Sequence, residues 1–450
     1  MKLLLSTLLI FSSATSAQPQ SMPGMQMPAA SSSNPASQPA AAAPDPLAEA
    51  AGREPLSLAS LLAAARTHNP TLHAAKAAIA ESAGRAKQAG MLPNPVIGYE
   101  GDQIRGGSYG GGEHGGFIQQ TIPLGGKLGL RRDASRAQQR TDELALSAQE
   151  QRIEADLESS FYAALALQQE IDTRKQLSAL AADAAETARQ LANVGQADAP
   201  DVLQSEVEQE QVGLDTLAAQ HRYVAAFHQL TATAGQPDLP LSRLAGDLTT
   251  SPMPPPSLDT IVDQSPAVQR ADQAMHAAEV QLRSARREIL PDVTLRAGEQ
   301  WNNELIRQNP SIATGAQSFA SASVDLPLWN RNQGNIATAE AAVEAAQADA
   351  QRVRLALRLS AAPLIEQYNI AAAQSARYRS DLLPRAQRAY ELYCDRYRQM
   401  AAAYPQVLVS QRTLFQLQLA YIQSLSELWQ SAAQLRHFTL SGGLISSETR

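Results

Sequence analysis

Asp292-Val293-Thr294-Leu295-Arg296-Ala297-Gly298-Glu299-Gln300-Trp301, with its return Phe319-Ala320-Ser321-Ala322-Ser323-Val324-Asp325-Leu326, is the stretch that separates this chain from an ordinary helical protein. In the first segment Val293, Leu295, Ala297 and Trp301 alternate with Asp292, Thr294, Arg296, Gly298 and Gln300. In the second, Ala320, Ala322, Val324 and Leu326 alternate with Phe319, Ser321, Ser323 and Asp325. A period of two with one apolar face predicts paired strands. Each runs for about ten residues, the length a tilted strand needs to cross a bilayer. A hairpin lying on a soluble core shows the same alternation, so the flanking sequence has to decide between the two.

The flanks are punctuated by proline, and the punctuation occurs twice. Leu290-Pro291 ends a helical segment and Pro327-Leu328 closes the strand pair; Leu92-Pro93 and Pro123-Leu124 do the same in the first half. Pro70 pairs with Pro266 and Pro200 with Pro405, all at offsets of roughly 195 to 205 residues. The chain is an internal duplication, with repeats assigned to 53–245 and 255–438. The first copy's strands, Val96 to Gln103 and Phe117 to Leu124, are weaker matches. Between them a glycine-rich stretch, Gly106 to Gly116, predicts a solvated loop tip carrying Glu113 and His114. Pro93, Pro123, Pro291 and Pro327 are expected at the junctions between strand and helix. Trp301 at the far end of its strand and Trp329 just beyond the next suit either an interfacial aromatic belt or a buried core.

The rest of each copy is helix. Leu56 to Met91 and Leu258 to Ile289 are Ala-rich with near-helical apolar spacing, each re-entering helix at a proline that suits a first turn. From Lys127 to about Val194 no proline interrupts about 65 residues, a rod of roughly 100 Å. Gly195 to Pro200 breaks it, and Asp201 to about Thr233 returns antiparallel. The second copy runs from Asn330 to about Met400 and back from Pro405 to about Phe438, with kinks expected at Pro363 and Pro384. Leu, Ala and Val every three or four residues predict packed coiled-coil helices. His221 and His228, seven apart, share a face that is either solvated or lines a tunnel.

Composition narrows the function. A net charge of -7 over 450 residues offers no basic stripe to neutralise phosphates, so nucleic acid is not expected as a partner. The single cysteine, Cys394, excludes an intramolecular disulfide and has no thiol partner for a metal. No Ser/His/Asp set, phosphate loop or ligand cluster marks an enzyme, and no cofactor is expected. Lys2, the apolar run Leu3 to Phe11 and Thr15-Ser16-Ala17 predict a signal peptide over 1–17. No cysteine follows it to carry a lipid. Residues 18–52, rich in Pro, Ala, Ser and Met, read as a disordered linker, and 439–450 as a flexible tail. Met22, Met25 and Met27 in that linker are spaced so that thioethers could wrap a soft ion such as Cu(I) or Ag(I), or they are compositional drift.

Four strands cannot close a membrane barrel, because open edges leave backbone groups unpaired in lipid; three chains would supply twelve. On Asn69-Pro70, Leu92-Pro93-Asn94-Pro95, Ile122-Pro123-Leu124-Gly125-Gly126-Lys127 and Val194-Gly195 leading to Asp201-Val202-Leu203, the mature chain resembles the TolC-type outer-membrane efflux proteins. The Asn-Pro and Pro-Leu-Gly-Gly-Lys wording resembles their heavy-metal, CzcC-like branch. The resemblance implies a mainly α fold with four amphipathic strands. In it a homotrimer in the outer membrane of a Gram-negative bacterium forms a 12-stranded β-barrel, continued by a periplasmic α-helical barrel. It implies a passive conduit that docks a periplasmic adaptor and an inner-membrane pump of the resistance-nodulation-division type, and exports heavy-metal cations (Cu/Ag or Co/Zn/Cd). Drug export or type I secretion is the alternative. By the same resemblance Gly195, Asp198, Asp201, Met400 and Gln406 form the periplasmic tip, where carboxylates ring a closed entrance. Met400 stands where Gly is expected, and Gln406 and Val409 where acids often sit, so the second hairpin departs from the pattern. Two other classes remain: a periplasmic adaptor would show one helical hairpin between β-rich domains, and a secreted structural coiled coil would need no amphipathic strands.

Overall fold

A computed structural model describes residues 46–50, 52–106, 109–110, 112–195, 198–306, 312–399 and 404–440. The segments assigned to the signal peptide, most of the linker and the tail lie outside the described residues, as do Met22, Met25, Met27 and Met400. The linker expected through residue 52 ends earlier: Pro46–Ala50 (α1) is one helical turn whose Leu47 joins the main core and whose Ala50 is also buried. Those two side chains supply the apolar surface that the preceding Pro/Ser/Ala sequence lacks.

The duplication is visible cap by cap. β1 (Leu56–Ser57) leads into α2 (Leu58–His68), where the Ser57 hydroxyl accepts from the Ser60 N–H. Asn69 then caps α3 (Pro70–Ala89) by accepting from the Thr71 N–H at 2.9 Å. In the second copy Ser257 caps α6 (Leu258–Gln264) through Thr260 N–H, and Ser265 caps α7 (Pro266–Arg287) through Ala267 N–H. In both copies a hydroxyl or amide satisfies an orphan donor of the first turn, and proline enters where its missing N–H costs nothing.

Four short and long strands follow in the first half: β2 (Val96–Asp102), β3 (Arg105–Gly106), β4 (Tyr109–Gly110) and β5 (Glu113–Ile122). Then come α4 (Lys127–Asn193) and α5 (Ala199–Thr233), an antiparallel pair. After β6 (Leu244–Ala245), which pairs parallel with β1, and the helices α6 and α7, the second copy gives β7 (Val293–Ile306), β8 (Ile312–Val324) and α8 (Gln333–Arg377). A π-helical turn at Tyr378–Leu382, α9 (Leu383–Arg398) and α10 (Tyr404–Arg436) complete it. Pro363 lies inside uninterrupted α8, whereas Pro384 follows the π turn, where Leu383 N–H reaches back to the Tyr378 carbonyl. The wider turn accommodates a proline that cannot donate to the helix.

The long strands form one antiparallel sheet ordered β2-β5-β7-β8, so the two copies join at β5–β7 and the edges are β2 and β8. Two sequence expectations are corrected here. The loop expected through Gly116 ends at Glu113, because Glu113 and His114 pair with Asn302 and Trp301 as strand residues. Trp301 is not at the strand's far end either, since β7 continues past it through an irregularity between Asn302 and Leu305.

The larger core sits where the copies' helices meet beyond the sheet. Phe161, Ile171, Tyr223, Phe227 and Leu230 are fully buried with Leu244 and Leu248, and Trp429 of α10 closes the cluster. Trp429 stacks on Tyr162 with centroids 4.1 Å apart and donates its Nε1–H to the Leu248 carbonyl at 3.0 Å. Tyr223, its phenol pushed up by burial, donates to the Ser242 carbonyl at 2.7 Å. At the end of α10, Arg436 and His437 lie 2.5 and 3.0 Å from the two oxygens of buried Glu158 on α4. A second cluster around Ile261, Leu357, Tyr368 and Leu435 packs the second copy's own helices.

Candidate functional site: strand face, junctions and helical tip

Register places Gly98, Phe117, Gly298 and Phe319 side by side across the four strands, on the face with Glu100, Arg296 and Gln300. Each phenylalanine lies over the glycine before it. A Cβ on Gly98 would collide with the Phe117 ring; one on Gly298 would collide with the Gly116 carbonyl and come 2.9 Å from the Phe319 ring. The glycines leave room for rings that then cover bare backbone. Between the rings lies the Arg296 guanidinium, 4.0 Å from the Phe117 centroid and 5.4 Å from that of Phe319, and ion-paired to Glu100. Further along, Glu113 accepts from Gln300 at 2.9 Å and from buried Asn302 at 2.7 Å. This face carries Glu100, Asp102 and Glu113 against Arg296.

The other face exposes Ile97, Tyr99, Ile118, Leu295 and Trp301, with Glu299 its acidic interruption. Tyr99 and His114 on this face are joined at 2.6 Å. An apolar face this exposed is what a lipid-facing sheet presents and what water disfavours.

The prolines lie just outside the strands. Pro93 precedes β2, Pro123 follows β5, Pro291 precedes β7 and Pro327 follows β8. Gln120 ties the first of these turns by donating to the Pro93 carbonyl at 2.8 Å. Lys127 opens α4 yet is only 3% exposed, with its ammonium 2.6 Å from Asp292 Oδ1 and 3.9 Å from Glu288. Arg131, one turn on, grips Glu288 with two 2.7 Å hydrogen bonds. First-copy cations and second-copy anions thus lock the two junctions together, and burial makes the lysine's pairing obligatory.

At the opposite end of the helices, Gly195 follows α4 with φ of 73°, and its N–H reaches the Ala192 carbonyl at 3.0 Å. That left-handed turn favours glycine. Asp198 is the N-cap of α5 without a side-chain cap bond, Pro200 stands in the first turn, and exposed Asp201 lies one turn on. Both carboxylates thus sit at the positive end of a helix dipole. Gln406, also exposed, lies in the first turn of α10.

Two ion pairs near the tip were not legible from residue order alone. Arg189 of α4 meets Glu206 of α5 at 2.9 Å, and Arg412 of α10 meets Glu208 of α5 at 2.5 Å, joining the second copy to the first. Nothing in a helical charge pattern names partners so far apart in the chain. The Gly–Phe pairs were findable, because Gly98…Phe117 and Gly298…Phe319 are themselves repeated. His221 and His228 are exposed on α5, and Trp329 is exposed beyond β8.

A family model described as outer membrane efflux protein matches residues 61–236 and 258–439. The cobalt-zinc-cadmium resistance protein CzcC of Cupriavidus metallidurans is 26% identical over 394 residues, covering 86% of this chain and 90% of that protein. The nickel-cobalt-cadmium resistance protein NccC of Alcaligenes xylosoxydans xylosoxydans is 26% identical over 245 residues, 53% of this chain and 52% of that one. Among solved structures CusC superposes with a TM-score of 0.70 at 16% identity, over 86% of this chain and 92% of CusC. The outer membrane protein VceC of Vibrio cholerae does so at 0.69 and 19%, over 85% and 96%. Two matched segments that coincide with the two structural copies leave little of the described chain outside them, and the chain belongs to the outer membrane efflux protein family.

Proposed function

We propose that three copies of this chain form a passive conduit for heavy-metal cations, spanning the outer membrane as a 12-stranded barrel and the periplasm as a helical tunnel. The observation that carries the trimer is the pair of unpaired edges, β2 and β8, on a sheet whose apolar face is exposed. In lipid those edge groups need partners. The β8 edge of one copy fits the β2 edge of the next, a head-to-tail contact that closes a ring. Mass determination in mild detergent tests this: a heat-dissociable trimer is expected, and a monomer overturns it.

Export of metal cations is supported by the resistance proteins this chain resembles and by the strand face that would line the barrel. Its three carboxylates against one guanidinium concentrate cations. The repeats at 53–245 and 255–438 would supply six similar units to the tube. The helical tip, with Gly195, Asp198, Asp201, Gln406 and Met400, would be the entrance, opened on docking an adaptor and an inner-membrane pump of the resistance-nodulation-division type. The chain's own part is conduction rather than catalysis. Deleting the gene and challenging the strain with Co, Zn, Cd, Ni, Cu and Ag salts separates this reading from drug export. Sensitivity to at least one metal is expected, and sensitivity to organic compounds alone overturns the metal assignment. Replacing Met22, Met25 and Met27 together, with Cu and Ag tolerance as the readout, tests whether that segment handles a soft ion.

A further inference from the structure

The chain is acidic as a whole, yet its charge is inverted where helix meets strand. The four junction segments 86–95, 123–133, 283–292 and 325–335 hold Lys87, Lys127, Arg131, Arg132, Arg283, Arg286, Arg287 and Arg331 against Asp133, Glu288, Asp292 and Asp325. Eight basic against four acidic residues leave +4 in a chain of net charge -7. Toward the far ends of the same strands the sign is opposite: Glu100, Asp102 and Glu113 outnumber Arg105, and the second-copy strand carries Glu299 and Glu304 beyond Arg296.

Part of the collar is structural, since Lys127 and Arg131 are tied to Asp292 and Glu288, and Arg286 to Glu340. Lys87, Arg283, Arg287 and Arg331 are different: all four are exposed and make no ion pair among the described residues. Between these cations and the strands in the chain lie exposed Leu92, Leu326, Leu328 and Trp329, with Trp329 87% exposed. Beyond Trp329 in the chain, the amides of Asn330, Asn332 and Asn335 line a polar cavity of about 530 Å³ in which Arg131 is already neutralised by Glu288. Apolar rim, indole, amides and unpaired guanidinium groups in sequence match a bilayer's own order of acyl chain, interface and headgroup.

We propose that this collar binds anionic phospholipid of the periplasmic leaflet, the headgroup phosphate lying at the unpaired cations. This rests on the barrel reading above, which puts the helix-side strand ends at that leaflet. Three copies would present twelve excess positive charges in one ring, three times the +4 per chain. Juxtamembrane Lys and Arg strengthen attachment to an anionic surface additively, so the collar fixes the depth at which the barrel sits and the level from which the tunnel starts.

The test uses the full-length protein reconstituted in phosphatidylcholine vesicles with and without phosphatidylglycerol. A variant carrying K87Q, R283Q, R287Q and R331Q serves as comparison, since none of its targets supports an ion pair. Insertion is scored by heat-modifiable trimer and protease protection, and bound lipid by native mass spectrometry. Wild type is expected to retain phosphatidylglycerol over phosphatidylcholine by at least tenfold, with the preference falling at high salt and in the variant. Wild type that inserts but retains both lipids equally overturns the proposal and leaves the barrel standing. Retention by the variant equal to wild type also overturns it. Failure of wild type to insert in either vesicle sinks the barrel reading and the collar with it. Should the variant misfold, the wild-type salt dependence still decides, and competition by inorganic phosphate distinguishes a free-phosphate site from a lipid one.

Discussion

Reversing one charge near the tip, Arg412→Glu, should loosen the proposed entrance. Arg412 is an ion-paired tie from the second copy to the first at this level, with its guanidinium 2.5 Å from Glu208 Oε1. The side chains are 54% and 27% exposed, which places the pair in screened surroundings. An exposed pair of this kind contributes about 0.5 to 1 kcal/mol. In a trimer the three copies would separate in one opening step, so their sum is about 1.5 to 3 kcal/mol. At 1.4 kcal/mol per decade that raises the open-to-closed ratio roughly ten- to hundredfold. Planar-bilayer recordings give the readout: Arg412→Glu should raise open probability or conductance, Glu208→Arg should do the same, and the swapped double variant should restore closure. The wild-type tie should also weaken between 0.1 M and 1 M salt, as the Debye length falls from about 10 to about 3 Å. Singles that conduct like wild type, or a swap that conducts like the singles, would refute the argument that this pair holds the two copies together at the entrance.

Three further outcomes are expected. Gly298→Val should abolish the heat-dissociable trimer in detergent, because any Cβ there meets the Gly116 carbonyl and the Phe319 ring; Gly334→Ala, where a Cβ meets nothing within 4 Å, is the control that should assemble normally. Glu113→Gln should lower the cation-over-anion permeability ratio measured by reversal potential, while Glu299→Gln on the opposite face should not. Asp247 is held below its ordinary value near 3.8, first by the Thr249 hydroxyl and then by the Thr249 N–H. A carboxyl with a depressed folded pKa stabilises the fold above its unfolded pKa, and that contribution is lost as pH falls through the folded value. Thermal unfolding below about pH 4 should therefore separate wild type from Asp247→Asn less than unfolding at pH 7 does.

What was legible in the sequence follows from which interactions are local. Pro70 and Pro266 announce helix starts because proline's fixed φ acts on its own residue, and the capping groups of Asn69 and Ser265 act within two residues. The rod of α4 is legible because nothing in it breaks a helix. By contrast, Gly112, Gly115 and Gly116 lower local strand propensity, and only their partners reveal a strand: Glu113 meets Gln300 and Asn302, whose numbers differ from its own by 187 and 189. The edge of α1 failed to show for the same reason. Leu47 is a single anchor in a low-complexity stretch, and its value lies in a core contributed by residues far along the chain.

The duplication itself explains which features the copies could change independently. At the sheet the two copies are hydrogen-bonded neighbours through β5 and β7, so a Gly–Phe pair altered in one copy is felt by the strand of the other. The pairs accordingly persist in both halves. At the tip the copies meet through side chains, with Arg412 reaching Glu208 while Glu206 is already occupied by Arg189. Side-chain contacts tolerate unequal partners: the first hairpin carries Asp198 and Asp201, and the second carries Gln406 on α10. Backbone pairing thus keeps the strand half of the repeat symmetric, while the helical ends are free to diverge, which is where the proposed entrance would need one helix pair to move against the other.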